Sequence, residues 1–327
     1  MQVTVIIVNY NSNDFLERCV EGLLAQTFKD FRAVIVDNGS EDCSIEKLGT
    51  LPDSFEVIRN GENLGFARAN NLAAQQSQSE WIATLNPDAI PEPDWLQQLV
   101  AATRRHPRAV MFGSTQISGR SPSVLDGTGD VYHAYGVAWR ANIDRPVASV
   151  PAKGETFGPC AAATLYRREE FLTAGGFDEH FYCYCEDIDL AFRLRLQGHW
   201  CVQIPCAVVR HFGSAITGKR SDFTMYYSTR NRYWTFIKNM PGPLLVPILP
   251  FHLVIHAAFI LRALMNGYGR AVLRATRDML MGIQPILDAR RTIQKSRRIS
   301  ASAVAAMLTW FPLKLLTRGA DTRPAAD

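Results

Sequence analysis

Several signatures of common enzyme classes are missing from this chain of 327 residues. It carries no Walker sequence, which sets aside the P-loop nucleotidases. No G-x-G-x-x-G follows the first strand-like run, which argues against a nicotinamide enzyme. No G-x-S-x-G elbow is present either. The 7 cysteines are odd in number, and Met1 leads straight into a strand-like run without a leader. Free thiols in a reducing cytoplasm are therefore expected. Cys183 and Cys185 have no second Cys/His pair at zinc spacing, so packing in a strand is their expected role.

Charge is also locally scarce. Between Lys238 and Arg262 there is none, and "PLLVPILPFHLVIHAAFIL" is strongly apolar. That run meets the ~20 residues a bilayer span needs, but Pro241, Pro243, Pro247, Pro250 and two histidines interrupt it. At 100° per residue, His252, His256, Arg262, Asn266, Arg270, Arg274 and Arg277 fall within an arc of about 120°. This predicts an amphipathic helix with a basic polar face that lies on a membrane, with a single span as the alternative. From Arg262 to Arg318 only Asp278 and Asp288 oppose eleven basic residues. A basic tail that is also apolar suits an anionic membrane surface and not a nucleic acid. "AVAAMLTWFPLKLL" is a second candidate interfacial segment. Elsewhere the composition is globular, with 47% hydrophobic and 20% charged residues, which excludes bulk disorder.

The first ~110 residues alternate strand and helix patterns. "VTVIIVNY", "FRAVIVDNGS", "FEVIRN" and "EWIATLNPDA" read as strands. Helices follow the first, third and fourth, with caps offered by Asn11 to Asn13 and Pro at the start of "PDWLQQLVAATRRH". Such alternation predicts an α/β fold with a parallel sheet and right-handed crossovers. Asn9 and Asn11 end the first strand, and Asp37 and Asn38 the second. Asn63 follows the third, and Asn86 and Asp88 end the fourth. One such ending is ordinary turn chemistry. Four together describe a polar crevice outside the carboxyl ends of the strands, where open α/β sheets bind ligands.

Residues 113 to 157 read as loops and edge strands, a flap beside an acceptor. "GPCAAATLYRREEFLTAGGF" supplies a strand and a helix, "EDIDLAFRLRLQG" a helix closed by Gly198, and "HWCVQIPCAVVRHFGS" a last strand pair ending near His211. Glu186, Asp187 and Asp189 follow "FYCYC". Their cluster admits three readings: a metal site, an acid/base pair, or favourable charge at a helix start, worth ~0.3–1 kcal/mol. Asp189 and Arg193 are spaced for a helix-face ion pair. Phe181, Tyr182 and Tyr184 alternate, as a sugar-stacking wall or as core.

Taken in order, "VIIVNYN" (5–11), "VDNGS" (36–40), "ENLGFARANN" (62–71), "LNPDA" (85–89), "GGFDEHFYCYCEDIDLAFR" (175–193), "RHFG" (210–213) and "YYSTRNRYW" (226–234) resemble the inverting family 2 glycosyltransferases of GT-A fold, in their rhamnosyltransferase-like branch. The resemblance covers about the first 235 residues. It implies a GT-A domain, a Rossmann-like, mostly parallel sheet flanked by helices, over residues 1–235. The helical, membrane-associating tail is then 236–327. It implies transfer of a sugar from a nucleotide-diphospho-sugar to an acceptor hydroxyl, and the apolar tail points to a lipid-linked or glycan acceptor at the inner face of the cell membrane.

By the same resemblance, Asn9, Asn11 and Asp37 cradle the base and ribose. Asn63, Gly65 and Asn71 line the nucleotide pocket, with Asn86 beside them. Asn86 stands where the first acid of the family's D-x-D belongs, so Asp88 and His211 carry more of a Mg²⁺ or Mn²⁺ ion. Taken alone, His211 reads as a strand-end histidine satisfied by backbone; the resemblance makes it a ligand. Asp187 takes the role of general base, and Glu186 orients the acceptor. Arg230 and Arg232 are placed to reach the donor diphosphate. Two other classes stay open. A nucleotidyltransferase needs a basic Gly-rich loop after the first strand, and "NYNSND" is not one. A binding module without catalysis is made thinkable by Asn86.

Overall fold

The computed structural model describes residues 1–213 and 221–324. The elements run β1 (Val3–Asn9), α1 (Asp14–Leu24), β2 (Phe31–Asp37), β3 (Phe55–Arg59), α2 (Gly65–Gln76), β4 (Trp81–Leu85), β5 (Ala89–Pro91), α3 (Trp95–Arg105) and β6 (Ala109–Ser118). Short strands β7 (Leu125–Gly127), β8 (Asp130–His133), β9 (Val137–Arg140) and β10 (Gly154–Glu155) follow, then β11 (Ala163–Arg167), α4 (Arg168–Thr173), α5 (Glu186–Leu196) and β12 (Trp200–His211). The chain closes with α6 (Asp222–Asn239), α7 (Gly242–Met265), α8 (Gly269–Met281), α9 (Ile283–Ser296), α10 (Ala301–Met307) and α11 (Leu313–Thr317).

The main sheet has the order β10-β12-β6-β11-β4-β1-β2-β3. Its β3-β2-β1-β4 half is parallel, as the strand–helix alternation predicts. Strand β11 enters antiparallel between β4 and β6. The fully buried runs of β1, β2 and β4 are those of strands covered on both faces. One face packs α1 and α3 through Leu16, Cys19, Leu23, Trp95 and Leu99. The other packs α2, α4 and α5 through Ala69, Ala73, Phe171, Leu190 and Leu194. The expected last strand pair is instead one long strand. Its register against β6 shifts between Ile204 and Val208, around Pro205, which cannot donate to a ladder.

Two local expectations are corrected. Asn13 does not cap α1 with its side chain: its φ is 51°, and its N–H donates to Asp42. The stretch before α5 is not a strand. Tyr182, Tyr184 and Cys185 have φ of 65°, 68° and 67°, so the chain makes a tight left-handed turn.

The tail helices pack against the sheet domain. Residue 235 falls inside α6, which anchors α8 and α9. Trp234 Nε1 donates to Met279 O (3.1 Å), and Gln294 Nε2 donates to Asn239 O (2.9 Å). The polar stripe expected on one continuous helix is broken at Asn266–Tyr268, between α7 and α8. Its histidines turn inward: His252 and His256 are each 1% exposed, with His252 stacked on Phe236 and His256 against Tyr233. The opposite, apolar face of α7 is the open one. Val246, Phe251, Val254, Leu261 and Met265 are all exposed. At 24 residues, α7 is long and apolar enough to cross a membrane.

Candidate active site

A cleft of about 680 Å³ opens at the carboxyl ends of β1, β2 and β4. Asn63, Gly65, Asn86, Asp88, Glu186, Asp187 and His211 all line it. The other residues singled out in the sequence support its walls. Asn9 is fully buried and its amide donates to Asp37 (3.1 Å), Ser40 and Ser44 (both 2.9 Å). The Asn11 carbonyl oxygen of the side chain accepts from Glu41 N (2.8 Å). Asn71 ties α2 to the loop before α5 through Phe177 O (2.8 Å) and Phe177 N (2.9 Å). Arg230 points away from the cleft. It donates to His180 O (2.8 Å) and Phe181 O (3.1 Å) and lies over Trp234.

The wall at the ends of β2 and β3 is built by turn chemistry. Asn38 donates to Gly65 O (3.2 Å) and accepts from Asn60 (2.8 Å), joining the ends of β2, β3 and α2. Gly65 has φ +80°, and a Cβ there would lie 2.5 Å from the Tyr182 ring. Close approach by Tyr182 explains this glycine. The Tyr182 carbonyl then accepts from Phe66 N (2.9 Å) and Ala67 N (3.2 Å), satisfying two of the orphan N–H groups that begin α2.

Asp88 and His211 meet because β5 and β12 form a short antiparallel ladder, with His211 opposite Ala89. His211 Nε2 lies 3.3 Å from Asp88 Oδ1, and Nδ1 lies 2.7 Å from Asp126 Oδ2. Burial lowers the His211 pKa, but Asp126 on Nδ1 and Asp88 on Nε2 outweigh it and raise the value. A carboxylate on Nδ1 with Nε2 turned toward Asp88 is the second-sphere arrangement of metal-binding histidines, in which a cation would take the place of the Nε2 proton. Nε2 is buried and makes no aligned hydrogen bond. One carboxylate and one imidazole, with further positions open to phosphate oxygens, fit a hard divalent cation.

Another wall of the cleft comes from the segment read as loops and edge strands in the sequence. The β8–β9 hairpin contributes Asp130, Trp139 and Arg140, and β7 contributes Asp126. Arg140 pairs with Asp126. Burial works against its charge, but Cys160, Asp126, Asp130 and Asp187 more than offset this and raise its pKa. One atom each of Asp130, Cys160 and Asp187 lie within 4.8 Å of one another. Burial pushes the Cys160 thiol up to about 12, so it stays protonated and is a poor partner for a hard cation.

Asp187 sits half-buried in the first turn of α5. Its Oδ1 accepts from Ile188 N (2.8 Å) and its Oδ2 from Ala161 N (3.2 Å). Desolvation holds its pKa above the ordinary aspartate value, against the lowering effect of those two bonds and of Arg140. Glu186 is raised by burial and then by Asp187, and its Oε2 is buried without a partner. Asp189 faces the other way. It is fully buried between Arg193 (2.8 Å), Lys238 (2.9 Å) and Asn239 (2.7 Å), a structural network and not an exposed helix-face pair.

The turn that delivers Asp187 is held from α6. The fully buried Asn231 amide donates to Phe181 O (2.9 Å), Cys183 O (2.9 Å) and Tyr184 O (2.7 Å). Of the aromatics before it, Phe181 is core, while Tyr182 and Tyr184 line the cleft. Tyr182 stacks on Tyr227 at 5.2 Å.

A carboxylate with a raised pKa in the same cleft as an Asp–His pair, at the carboxyl ends of a mostly parallel sheet, is the site expected of a glycosyltransferase of GT-A fold. Residues 4–172 match the model of glycosyl transferase family 2, and the chain belongs to that family. The N-acetylglucosaminyl-diphospho-decaprenol L-rhamnosyltransferase of Mycobacterium tuberculosis is similar at 29% identity, over 66% of this chain and 77% of that protein. Among solved structures, the mannosyltransferase PcManGT of Pyrobaculum calidifontis, with GDP-mannose and Mn²⁺, superposes with a TM-score of 0.55 at 20% identity. That match covers 93% of this chain and 86% of the other. S. aureus TarS 1–349 with UDP-GlcNAc gives 0.57 at 16% identity, over 95% and 93%.

Proposed function

We propose that this glycosyltransferase moves a deoxyhexose such as rhamnose, with inversion, from a nucleotide-diphospho-sugar to a hydroxyl of a lipid-linked glycan in surface polysaccharide synthesis. The observation that carries the chemistry is Asp187: a carboxylate of raised basicity, fixed by two backbone N–H groups, in the same cleft as Asp88 and His211. Inversion needs a single displacement in which a base takes the acceptor proton as the hydroxyl attacks. Asp187 is the base, and Glu186 and Arg140 set the field around it. The donor nucleotide lies along Asn38, Asn63 and Asn86, in walls held by Asn9, Asn11, Asp37 and Asn71. Asp88 and His211 would hold Mg²⁺ or Mn²⁺, which offsets charge on the departing diphosphate.

The acceptor class is supported by the open apolar face of α7 and by the lipid-linked substrate in the name of the mycobacterial relative. With this face down, the chain lies on the inner face of the cell membrane. Release by alkaline carbonate distinguishes this from a span. The decisive assay uses full-length protein in detergent with Mn²⁺, a panel of nucleotide sugars including dTDP-rhamnose, and prenyl-diphospho-N-acetylglucosamine. Transfer with inverted anomeric configuration is expected. If no nucleotide sugar binds, the reading is wrong.

A further inference from the structure

Arg232 lies on α6 but takes no part in the hydrogen bonds that build the cleft. Its guanidinium lies 4.5 Å from the centre of the Phe259 ring of α7, and its Nη1 is buried without a hydrogen-bond partner. Among the described residues no carboxylate pairs with it. The groups that act on it electrostatically are Cys185, Tyr233, Arg318 and Tyr132. Arg232 is partly buried with its Nη1 covered, whereas the fully buried cations are matched: Arg193 with Asp189, Arg195 with Glu155, and Lys238 with Asp178 and Asp189. A buried cation without a counter-charge is strongly disfavoured. Nearby polar atoms are equally unmet: Tyr132 Oη, His252 Nε2 and both ring nitrogens of His256 are buried without partners.

The position of this cluster indicates what would complete it. Cys185 and Trp139 both line the cleft. Trp139 belongs to a small apolar cluster, with Val131, Val137 and Ala141, against which Ile255 of α7 and Leu315 pack, and its Nε1 donates to Gly319 O (3.0 Å), next to Arg318. Arg318 is exposed and, among the described residues, forms no ion pair. Phe251, Ile255 and Phe259 recur every fourth residue along α7 and so share one stripe. Phe251 and Ile255 also wall an apolar groove of about 360 Å³ with Tyr135 and Val254. An apolar track thus runs along α7, ends under Arg232, and meets the cleft at Trp139.

We propose that Arg232, with Arg318 beside it, binds the phosphate of a lipid-linked acceptor whose hydrocarbon chain follows the Phe251–Ile255–Phe259 stripe while its sugar enters between Trp139 and Asp187. This rests on the lipid-linked acceptor reading above. In such a molecule the phosphate joins the lipid to the sugar, so its charge must sit where track and cleft meet. A guanidinium fork suits phosphate oxygens.

The test is calorimetric binding of citronellyl diphosphate, a prenyl diphosphate without sugar, to the full-length protein in detergent. Arg232→Ala should weaken it roughly tenfold or more, the scale of a charge-assisted contact. Arg318→Ala should weaken it several-fold, and nucleotide-sugar affinity should be unchanged in both. Unchanged prenyl-diphosphate affinity in Arg232→Ala overturns the proposal, and so does an equal loss of nucleotide-sugar affinity, which returns the residue to the donor. If Arg232→Ala does not fold, Arg232→Lys and Arg318→Ala are measured, and wild-type affinity in both has the same consequence. Flotation with phosphatidylglycerol vesicles should not change in Arg232→Ala. Loss of flotation with intact prenyl-diphosphate binding assigns the cation to bilayer headgroups and also overturns it. Prenyl-diphosphate binding without any sugar transfer would count against the proposed function and not against this site.

Discussion

Replacing Asn231 separates holding the base from being the base. The turn it grips contains three non-glycine residues in the left-handed region, at φ of 65°, 68° and 67°. Each costs about 1–2 kcal/mol relative to ordinary backbone, so the turn stores roughly 3–6 kcal/mol. Against this stand three amide-to-carbonyl contacts of 2.7–2.9 Å, each worth about 0.5–1.5 kcal/mol net and more if a buried carbonyl is left unmet. The two sums are of one size, so losing the amide lets the turn relax. Asn231→Asp goes further and sets a carboxylate against three carbonyl oxygens. Asp187 follows two residues after Cys185, and a shift of about 1 Å at a reacting group lowers rate by roughly 10²-fold. The expected result is a kcat reduced by roughly that factor, nucleotide-sugar affinity kept, because Asn38, Asn63 and Asp88 do not move, and a lowered melting temperature. Steady-state kinetics, calorimetry and thermal melts on one preparation report all three. An Asn231→Asp protein with wild-type kcat and melting temperature would refute the reasoning.

Asp187→Asn should lower kcat by about 10²–10⁴-fold while donor binding persists; full transfer by this variant removes Asp187 as base. Asp126→Asn removes the carboxylate charge from His211 Nδ1 and should weaken Mn²⁺-dependent donor binding by about 10–100-fold, read from a metal titration; an unchanged titration contradicts the assigned ligand set. Because desolvation raises Asp187, and the base must be ionised, the acid limb of kcat/KM should have its midpoint above that of an ordinary aspartate. A midpoint at the ordinary value contradicts the site. The same direction at Glu186, Asp187 and Asp130 means the folded chain holds protons that the unfolded chain has released. Their contribution to stability is therefore present at lower pH and is lost as pH rises through the raised values. Asp189→Ala strands Arg193 and leaves Lys238 with Asp178 alone, and should cost about 3–5 kcal/mol in urea unfolding; an unchanged unfolding midpoint contradicts this structural role.

The parallel half of the sheet and its polar strand ends were legible because period, burial and turn chemistry agree there. "LNPDA" and "RHFG" were readable as partners only through family resemblance; the β5–β12 ladder that unites them is three residue pairs long. The hairpin bearing Asp130 and Arg140 escaped notice since its strands have four residues each, too few for periodicity to register. "LDGTGD" followed by "VAWR" was the available signal: spaced acids before an aromatic–basic pair. The turn at 182–185 looked like a strand because aromatics and cysteines alternate, and no propensity marks left-handed Tyr or Cys. Along α7 the polar stripe was seen correctly, but whether it faces water depends on α6, whose Tyr233 and Phe236 receive the two histidines.

The grip of α6 on the turn before α5 also sets an order of events during synthesis. The nucleotide-facing strands leave the ribosome first and can pair as they emerge. The turn before Asp187 stays unsupported until Asn231 has followed, 47 to 50 residues after the carbonyls it holds. A growing polypeptide therefore assembles the polar crevice at its strand ends well before the proposed base is held in place, and the complete cleft arrives only with the helix that leads to the apolar tail.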